Sequence, residues 1–143
     1  MNLSNNFTLE QLTFSETAVR KGLPNVPSPE QIINLTELAM FLEKIQLLLG
    51  YPLHINSAFR SPKVNAAVGG SPTSAHMEGY AADFTCELFG SPLSVCKTIA
   101  TSDIPYDQII REYDSWCHFS CDPRMRRKLT RKFYGQDYLD GLE

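Results

Sequence analysis

The chain has 143 residues, of which 43% are hydrophobic, so it is long enough for one compact domain with its own core and hardly long enough for two. Its formal net charge of -3 argues against a general nucleic-acid binder, which normally carries a strong excess of Lys and Arg. We therefore expect a single domain over residues 1–143.

The first residues do not have the character of a secretory signal peptide, since Met1 to Phe7 contains neither a basic segment nor an apolar run. The longest apolar stretch, residues 38–49, is interrupted by charged side chains and is shorter than the roughly 20 residues of a membrane-spanning helix. We expect a protein without its own export signal and without a membrane span.

Two helix starts are marked by a hydroxyl residue followed three positions later by glutamine, which is the spacing of a capping box. They begin at Thr8 and Ser28, and the second has Pro29 at its first helical position. After Ser28, apolar residues recur every three or four positions, which predicts a long core helix that ends near Gly50. Its predicted buried face consists of Ile32, Leu35, Ala39, Leu42, Ile45 and Leu49.

The middle of the chain is predicted to alternate strands and short helices. Residues 53–57 alternate apolar and polar side chains, as a half-buried strand does, and a short helix capped by Ser61 follows. A second strand is predicted over roughly residues 80–86, and Ser91-Pro92 begins another helix. The apolar stripe predicted for that helix consists of Leu93, Cys96, Ile99 and Ala100.

Residues 106–113 and 116–121 are rich in β-branched and aromatic side chains and are separated by the turn formers Asp114 and Ser115, which predicts a β-hairpin. A basic tail follows over about residues 123–143. We interpret it as a solvated charged surface, with attraction to anionic wall polymers or nucleic acid as the alternative. Its cations are Arg124, Arg126, Arg127, Lys128, Arg131 and Lys132.

The four cysteines, Cys86, Cys96, Cys117 and Cys121, form neither a C-x-x-C pair nor the spacing of a disulfide scaffold. We interpret them as buried thiols, which suits a reducing compartment. A structural zinc site or a bridge between Cys117 and Cys121 is the weaker alternative, since that bridge would have to span about 13 Å along one strand.

Two histidines and an aspartate are the chemically most informative set in the chain. His76 and Asp83 are seven residues apart around Gly79, and His118 follows in the predicted hairpin. Two imidazoles and a carboxylate suit a catalytic zinc ion that keeps one tetrahedral position open. The alternative is that all three are ordinary hydrogen-bonded side chains. The third histidine, His54, lies in an alternating strand and is interpreted as structural.

The residues around this set resemble a known family. The pattern comprises Ser74-x-His76-x-x-Gly79-x-Ala81-x-Asp83, then Trp116-x-His118-x-Ser120, and earlier Arg60-Ser61-Pro62 with Asn65 and Gly69-Gly70. It resembles the zinc D-Ala-D-Ala carboxypeptidases and L-alanyl-D-glutamate endopeptidases, and is most similar to the short forms found in bacteriophages and prophages. The resemblance extends from Phe7 to about Leu129.

The resemblance implies a small Hedgehog/DD-peptidase-like α+β domain, in which an antiparallel sheet with flanking helices carries the zinc site. It implies one Zn2+ ion held by His76, Asp83 and His118, and hydrolysis of peptide bonds in the stem peptides of bacterial peptidoglycan. The bond stays open between a terminal D-Ala and an internal bond such as L-Ala-D-Glu. The metal also stays open at the level of the residues, because these ligands bind several divalent ions.

Hydrolysis of this kind needs a general base, and Glu112 is the first candidate. If the hairpin loop contains the three residues 113–115, Glu112 pairs with Trp116 and shares the face of His118. A loop of two residues would turn the Glu112 side chain away. Asp114 is the second candidate. Many relatives have the acid three residues before the last histidine, where this chain has a serine, so the base stays open.

Further candidates surround the predicted metal site. The resemblance gives Arg60 a role in contacting a substrate carboxylate or the oxyanion of the reaction, and a guanidinium fork suits both. Ser74 is a candidate substrate-binding hydroxyl, with turn formation as the alternative. Trp116 is a candidate wall of the substrate cleft, with core packing as the alternative. Asp107 and Gln108 are weaker candidates for orienting a ligand imidazole.

We therefore predict a zinc metallopeptidase that acts on peptidoglycan. The alternative is a catalytically inert zinc-binding module of the wall-binding or virion structural type, which the missing acid at Ser115 favours. A DNA-binding regulator is disfavoured by the net charge. We expect a monomer whose partners are peptidoglycan stem peptides rather than nucleic acid or membrane. The expected setting is phage lysis or entry, with the protein in the host cytoplasm until release or in the virion.

Overall fold

One mixed β-sheet organises the fold, and the computed structural model describes all residues from 1 to 143. All neighbouring strands are antiparallel except the pair β3 and β5. The predicted α+β class is confirmed, and the sheet, predicted as antiparallel, contains this one parallel pair. In chain order the strands are β1 (His54–Ser57), β2 (Ala81–Thr85), β3 (Gln108–Glu112), β4 (Trp116–Ser120), β5 (Lys128–Lys132) and β6 (Leu139–Asp140), and in the sheet their order is β1-β2-β4-β3-β5-β6.

Hydroxyl side chains cap the starts of all five α-helices by accepting a hydrogen bond from a backbone N–H of the first turn. The predicted starts at Thr8, Ser28, Ser61 and Ser91 are confirmed, whereas the helix capped by Ser15 is not among the predicted ones. None of the helices has both the length and the apolar character that a membrane crossing requires. They are α1 (Leu9–Thr13), α2 (Glu16–Lys21), α3 (Pro29–Leu49), α4 (Pro62–Ala67) and α5 (Pro92–Thr101).

Helices α3 and α5 contribute to a single core of 24 buried residues on one side of the sheet. The buried face of α3 differs from the prediction at two positions, because Leu38 is also buried and Ile32, near the start of the helix, is only half-buried. In α5, Val95, Cys96 and Ile99 are buried, and the predicted Leu93 and Ala100 pack half-buried against the core. The remaining residues of the α3 face are buried as predicted, namely Leu35, Ala39, Leu42, Ile45 and Leu49.

The second side of the sheet carries the polar side chains. Because side chains alternate along a strand, the residues between core positions share this opposite face. On β2 they include Asp83, between the buried core residues Ala82 and Phe84, and on β4 they include His118, between Cys117 and Phe119. Directly paired residues lie on the same face, so the register decides which of these polar side chains meet.

The basic segment is folded rather than a free tail, because residues 128–132 and 139–140 form strands of the sheet and Leu142 is buried in the core. Its charges lie largely at the surface, since Arg124, Arg126, Arg127 and Lys128 are exposed. The charged side chains of this segment hide the alternation of apolar and polar residues by which a strand is predicted. Charged residues are nevertheless common on strands near the edge of a sheet. The backbone N–H and guanidinium of Arg126 donate to the Asp107 carboxylate at distances of 2.8 to 3.0 Å. Asp107 therefore anchors this segment and does not orient a ligand imidazole.

The four cysteines are all buried and unpaired, as predicted. Burial raises the pKa of the Cys121 thiol to about 12, with a further contribution from the charge of Glu37. A thiol that stays protonated is a poor metal ligand. The cysteines therefore serve as core residues.

We expect Asp107→Asn to lower the free energy of unfolding by about 2 kcal/mol at neutral pH, because hydrogen bonds to a charged group contribute in this range. Burial alone would raise the pKa of Asp107, but the hydrogen bonds and charge of Arg126 outweigh it and lower the pKa. The stabilisation is therefore present above the unfolded pKa of about 3.9 and is lost as the pH falls through the lower folded value.

Denaturant unfolding of the wild type and Asp107→Asn between about pH 7 and about pH 3 measures this effect. The difference between the two proteins should shrink towards acid. The matched control is Asp103→Asn, which removes an exposed carboxylate. An equal loss of stability in both variants would contradict the anchoring role of Asp107.

Candidate metal centre

The three predicted ligands come from three elements and meet on the polar face of the sheet. His76 lies in a 3-10 helix (Ala75–Glu78), Asp83 in β2, and His118 in β4 directly opposite Asp83. The same Asp83 oxygen, Oδ1, lies 3.2 Å from His76 Nε2 and 2.9 Å from His118 Nδ1. One ligand atom from each residue lies within 4.8 Å of the others, and all three residues are buried. The cluster could hold one metal ion.

The turn that carries His76 is fastened to helix α3. Gly79 ends the 3-10 helix with φ at 83°, and a Cβ there would lie 2.9 Å from the carbonyl oxygen of Gln31. The amide side chains of Gln31 and Asn34 donate to carbonyl oxygens of the same turn at 3.1 and 2.8 Å. The Ser74 hydroxyl accepts a hydrogen bond from the His76 N–H at 3.2 Å, which is the turn-forming alternative for this residue.

The hydrogen bond of His76 to the backbone selects its tautomer. His76 Nδ1 lies 2.6 Å from the carbonyl oxygen of Ala58, and since a carbonyl only accepts, Nδ1 must carry the proton. In the neutral imidazole Nε2 then has a free lone pair, and this lone pair faces the Asp83 carboxylate. At 3.2 Å, this nitrogen and the carboxylate oxygen need either a proton on Nε2 or a metal cation between them. The donor set therefore fits a cation such as zinc.

The charges around Asp83 keep it ionised. Burial by itself would raise the pKa of the Asp83 carboxyl, but the charge of His76 and the hydrogen bond of His118 outweigh it and hold the pKa well below its usual range. Burial lowers the pKa of His118, whereas the hydrogen bond and charge of Asp83, with the charge of Glu112, raise it more, so the net shift is upward. The buried carboxylate is thus compensated by its neighbours.

Arg60 borders the cluster in a fixed orientation. Its Nη2 donates to Asp83 Oδ2 at 3.2 Å, its Nε to Ser57 Oγ at 3.1 Å, and its Nη1 to Asn65 Oδ1 at 3.4 Å. Gly70 leaves the space that Asn65 occupies, because a Cβ at this position would lie 2.2 Å from Asn65 Oδ1. The side chain of Arg60 is 15% exposed. Its guanidinium is therefore held beside the cluster and remains accessible.

The hairpin loop consists of residues 113–115, so Glu112 pairs with Trp116 as expected for the longer loop. Trp116 is two residues from His118 on β4, which places Glu112 on the same face as His118. The indole Nε1 of Trp116 donates to Glu112 Oε2 at 2.7 Å. The indole thereby fixes the orientation of the Glu112 carboxylate on this face.

The second candidate base points elsewhere. Asp114 Oδ1 lies 3.6 Å from Arg111 Nη1, and Arg111 is paired with Cys117 on the core-side face of the sheet. Ser115, which stands where many relatives have the acid, donates its hydroxyl to the Tyr113 carbonyl oxygen at 3.1 Å. The geometry thus favours Glu112 over Asp114 as the group nearest to the cluster.

The remaining candidates lie outside the cluster. His54 is an exposed residue of the edge strand β1 and does not contribute a ligand atom to the cluster. Gln108 pairs with Ser120, two residues along β4 from His118, and its backbone N–H donates to the Ser120 hydroxyl at 3.1 Å. The ring nitrogens of His76 and His118 have the Ala58 carbonyl and Asp83 as their partners, and neither ring is hydrogen-bonded to Gln108.

A comparison with protein families settles the relationship of this chain. The model of the family described as Peptidase M15 matches residues 5–120. The chain belongs to this family. The match confirms the resemblance and supports a metallopeptidase, and it includes the cluster, Arg60 and Glu112 but excludes β5 and β6. A search of the curated proteins found no significant match.

The functional side chains of this site are identifiable in the sequence, whereas the groups that orient them are not. The Ala58 carbonyl that selects the His76 tautomer is a backbone group, and a backbone group has no signature of its own in the sequence. Asn65 and Gly70 are part of the quoted pattern, yet their packing around Arg60 becomes visible only in the structure.

We expect His76→Ala to weaken zinc binding by more than the roughly 10- to 100-fold that loss of an outer-shell partner costs, because a direct ligand is removed. Competition titration against a chromophoric chelator measures the affinity. His54→Ala is the matched control, since it removes the exposed imidazole of β1. Equal zinc affinities of the two variants would show that His76 is not a ligand.

Proposed function

We propose that this chain is a zinc-dependent peptidase that hydrolyses bonds in the stem peptides of bacterial peptidoglycan. The main support for this proposal is that His76, Asp83 and His118 converge on one face of the sheet in a chain of the Peptidase M15 family. A zinc ion, when bound, supplies Lewis acidity that activates water and polarises a carbonyl group. The substrate class is supported by the resemblance to D-Ala-D-Ala carboxypeptidases and L-alanyl-D-glutamate endopeptidases.

Glu112 is the proposed general base. Its Oε2 accepts the indole hydrogen bond of Trp116, which leaves Oε1 to accept a proton from the attacking water. When the C–N bond of the substrate breaks, the same carboxyl group can give this proton to the leaving amine. Trp116 therefore acts as a positioning residue, because it keeps the carboxylate on the face of His118.

Arg60 is the proposed group for negative charge on the substrate. Three of the five N–H groups of its guanidinium donate within the protein, which leaves two for a ligand. In a carboxypeptidase these would bind the terminal carboxylate of the substrate. In an endopeptidase they would stabilise the oxyanion that forms during attack on the carbonyl group. The bond cleaved thus decides which role Arg60 has.

A catalytically inert zinc-binding module is the second candidate function. It is favoured by Ser115, which occupies the position three residues before His118 where many relatives have the acid. If Glu112 does not replace that acid, the protein would bind zinc and cell-wall peptides without cleaving them. The two candidates differ in turnover and agree in metal binding.

We expect the purified protein to contain about one zinc ion per chain and to cleave soluble muropeptides, with cleavage abolished by a chelator and restored by zinc. Mass spectrometry of the products identifies the bond, because release of D-Ala marks a carboxypeptidase and two peptide fragments mark an endopeptidase. Bound zinc without cleavage would favour the inert module. A metal-free protein with intact fold would contradict the proposed site.

We expect Glu112→Gln to lower turnover by roughly 100-fold or more and to leave the zinc content unchanged, because general-base catalysis contributes on this scale. Asp114→Asn is the matched control and should retain turnover, since Asp114 lies towards Arg111 on the other face. Kinetics on a muropeptide substrate, with metal analysis of each variant, measure both. The opposite pattern would make Asp114 the base.

We further propose a setting in phage lysis or virion entry, which is supported by the resemblance to the short phage and prophage forms. Expression inside a bacterial host, with and without a co-expressed holin-type pore, tests this setting. Lysis that requires the pore is expected. Wall damage without any pore would contradict the proposal that the protein depends on release to reach its substrate.

A further inference from the structure

The face that carries the metal cluster continues across the sheet to β5. Trp116 on β4 pairs with Glu112 on β3, and Glu112 pairs in the parallel register with Lys132 on β5. Paired residues project their side chains to the same side, so these three form one row. The row lies beside the one that contains His118, two residues along β4.

Tyr138 extends this row by one more residue. In the β5–β6 pair Arg131 is opposite Leu139, and the next step of the antiparallel register brings Tyr138 opposite Lys132. The Lys132 ammonium nitrogen lies 4.4 Å from the centre of the Tyr138 ring, which is a cation–π contact. The aromatic ring therefore holds the lysine side chain at the rim of the polar face.

The environment of Tyr138 places it in the field of the metal cluster. Burial raises the pKa of its phenol, the charges of Glu112, Tyr113 and Asp83 raise it further, and the charge of Arg60 acts in the opposite direction. Among these charges are those of the proposed base and of the Asp83 ligand. Tyr138 thus lies close enough to Glu112 and Asp83 for their charges to act on its phenol.

Lys132 is positioned as a second cation of the site. It has no carboxylate oxygen within the 4.0 Å of an ion pair, in contrast to Arg60, which is paired with Asp83. The sheet order places Arg60 next to β1 and β2, and Lys132 on the opposite side of β4 and β3. Lys132 lies two strands away from His118 and two residues along the strand direction. Standard strand spacings then give about 12 Å between the Cα atoms of His118 and Lys132, a distance that an extended peptide of three to four residues spans.

We propose that Lys132 binds a carboxylate of the substrate on the side of the metal cluster opposite Arg60, and that Tyr138 positions its ammonium group. The substrate class is then a peptide with a free carboxylate a few residues from the scissile bond, such as a stem peptide with an unamidated glutamate. This inference rests on the proposed function for the identity of the peptide. Both residues lie outside the matched range of residues 5–120, so this contact is separate from the family match.

The test uses two muropeptides that differ only at the α-carboxyl group of the glutamate, which is a free carboxylate in one peptide and a carboxamide in the other. Their affinities are measured by calorimetry on the zinc-loaded full chain with Glu112→Gln, which slows turnover. We expect the acid to bind about 10-fold more tightly than the amide, in line with a charge-assisted hydrogen bond. In the double variant with Glu112→Gln and Lys132→Gln, the ratio of the two affinities should fall to about 1.

Matched controls come from the same segment. Lys128→Gln removes an exposed lysine from the other end of β5. It should keep the 10-fold ratio, because the proposed hydrogen bond to the carboxylate comes from Lys132. Tyr138→Ala should lower the ratio, because the ammonium group loses the ring it packs against, whereas Tyr134→Ala, at an exposed tyrosine of the same segment between β5 and β6, should not. Thermal unfolding of each variant verifies that the fold is retained.

The outcomes separate the two proposals. Equal affinities for the acid and the amide, a loss of the ratio in Lys128→Gln as large as in Lys132→Gln, or no binding of either peptide would overturn the role of Lys132. Absence of cleavage by the wild type, together with a preference for the acid that disappears in Lys132→Gln, would overturn the peptidase activity and leave the recognition by Lys132 supported.

Discussion

The antiparallel register of β2 and β4 sets Asp83 directly opposite His118, and the rest of the site depends on this pairing. A slip by one residue would turn one of the two side chains into the core, and no ligand cluster could form. The registers of β3 with β4 and with β5 place Glu112 and Lys132 on the same face of the sheet as the cluster. The core on the other side of the sheet stabilises this register, because the buried side chains of both strands would be exposed by any slip.

A buried ionised carboxylate is costly unless its neighbours compensate it, and the site of this Peptidase M15 member supplies that compensation from several elements. Arg60 takes one oxygen of Asp83, and the two imidazoles face the other. The Ala58 carbonyl fixes the proton on Nδ1 of His76, so the neutral imidazole directs its lone pair towards Asp83. This arrangement of acceptors fits a bound cation, and it links metal binding to the orientation of the arginine proposed to contact the substrate.

Local signals predicted the helices well because caps and apolar periodicity act within a few residues. Ser28 and Pro29 begin α3, and Gly50 ends it as expected. The segment after residue 123 was beyond such signals. Its strand β5 has charged residues at both ends, and it forms because β3 offers a free edge and Asp107 pairs with Arg126. These partners lie about 20 residues apart, a separation that local propensity does not report.

The sequence by itself determined the ligand types, their family pattern and the main helix, because these depend on residue chemistry and short spacings. Only the tertiary structure decided which candidates meet. The loop of three residues turned Glu112 towards His118 and left Asp114 beside Arg111, and the sheet order brought Lys132 and Tyr138 to the same face. Register and strand order arise from contacts between distant segments, whose free energy comes from the packing of the whole core rather than from any local pattern.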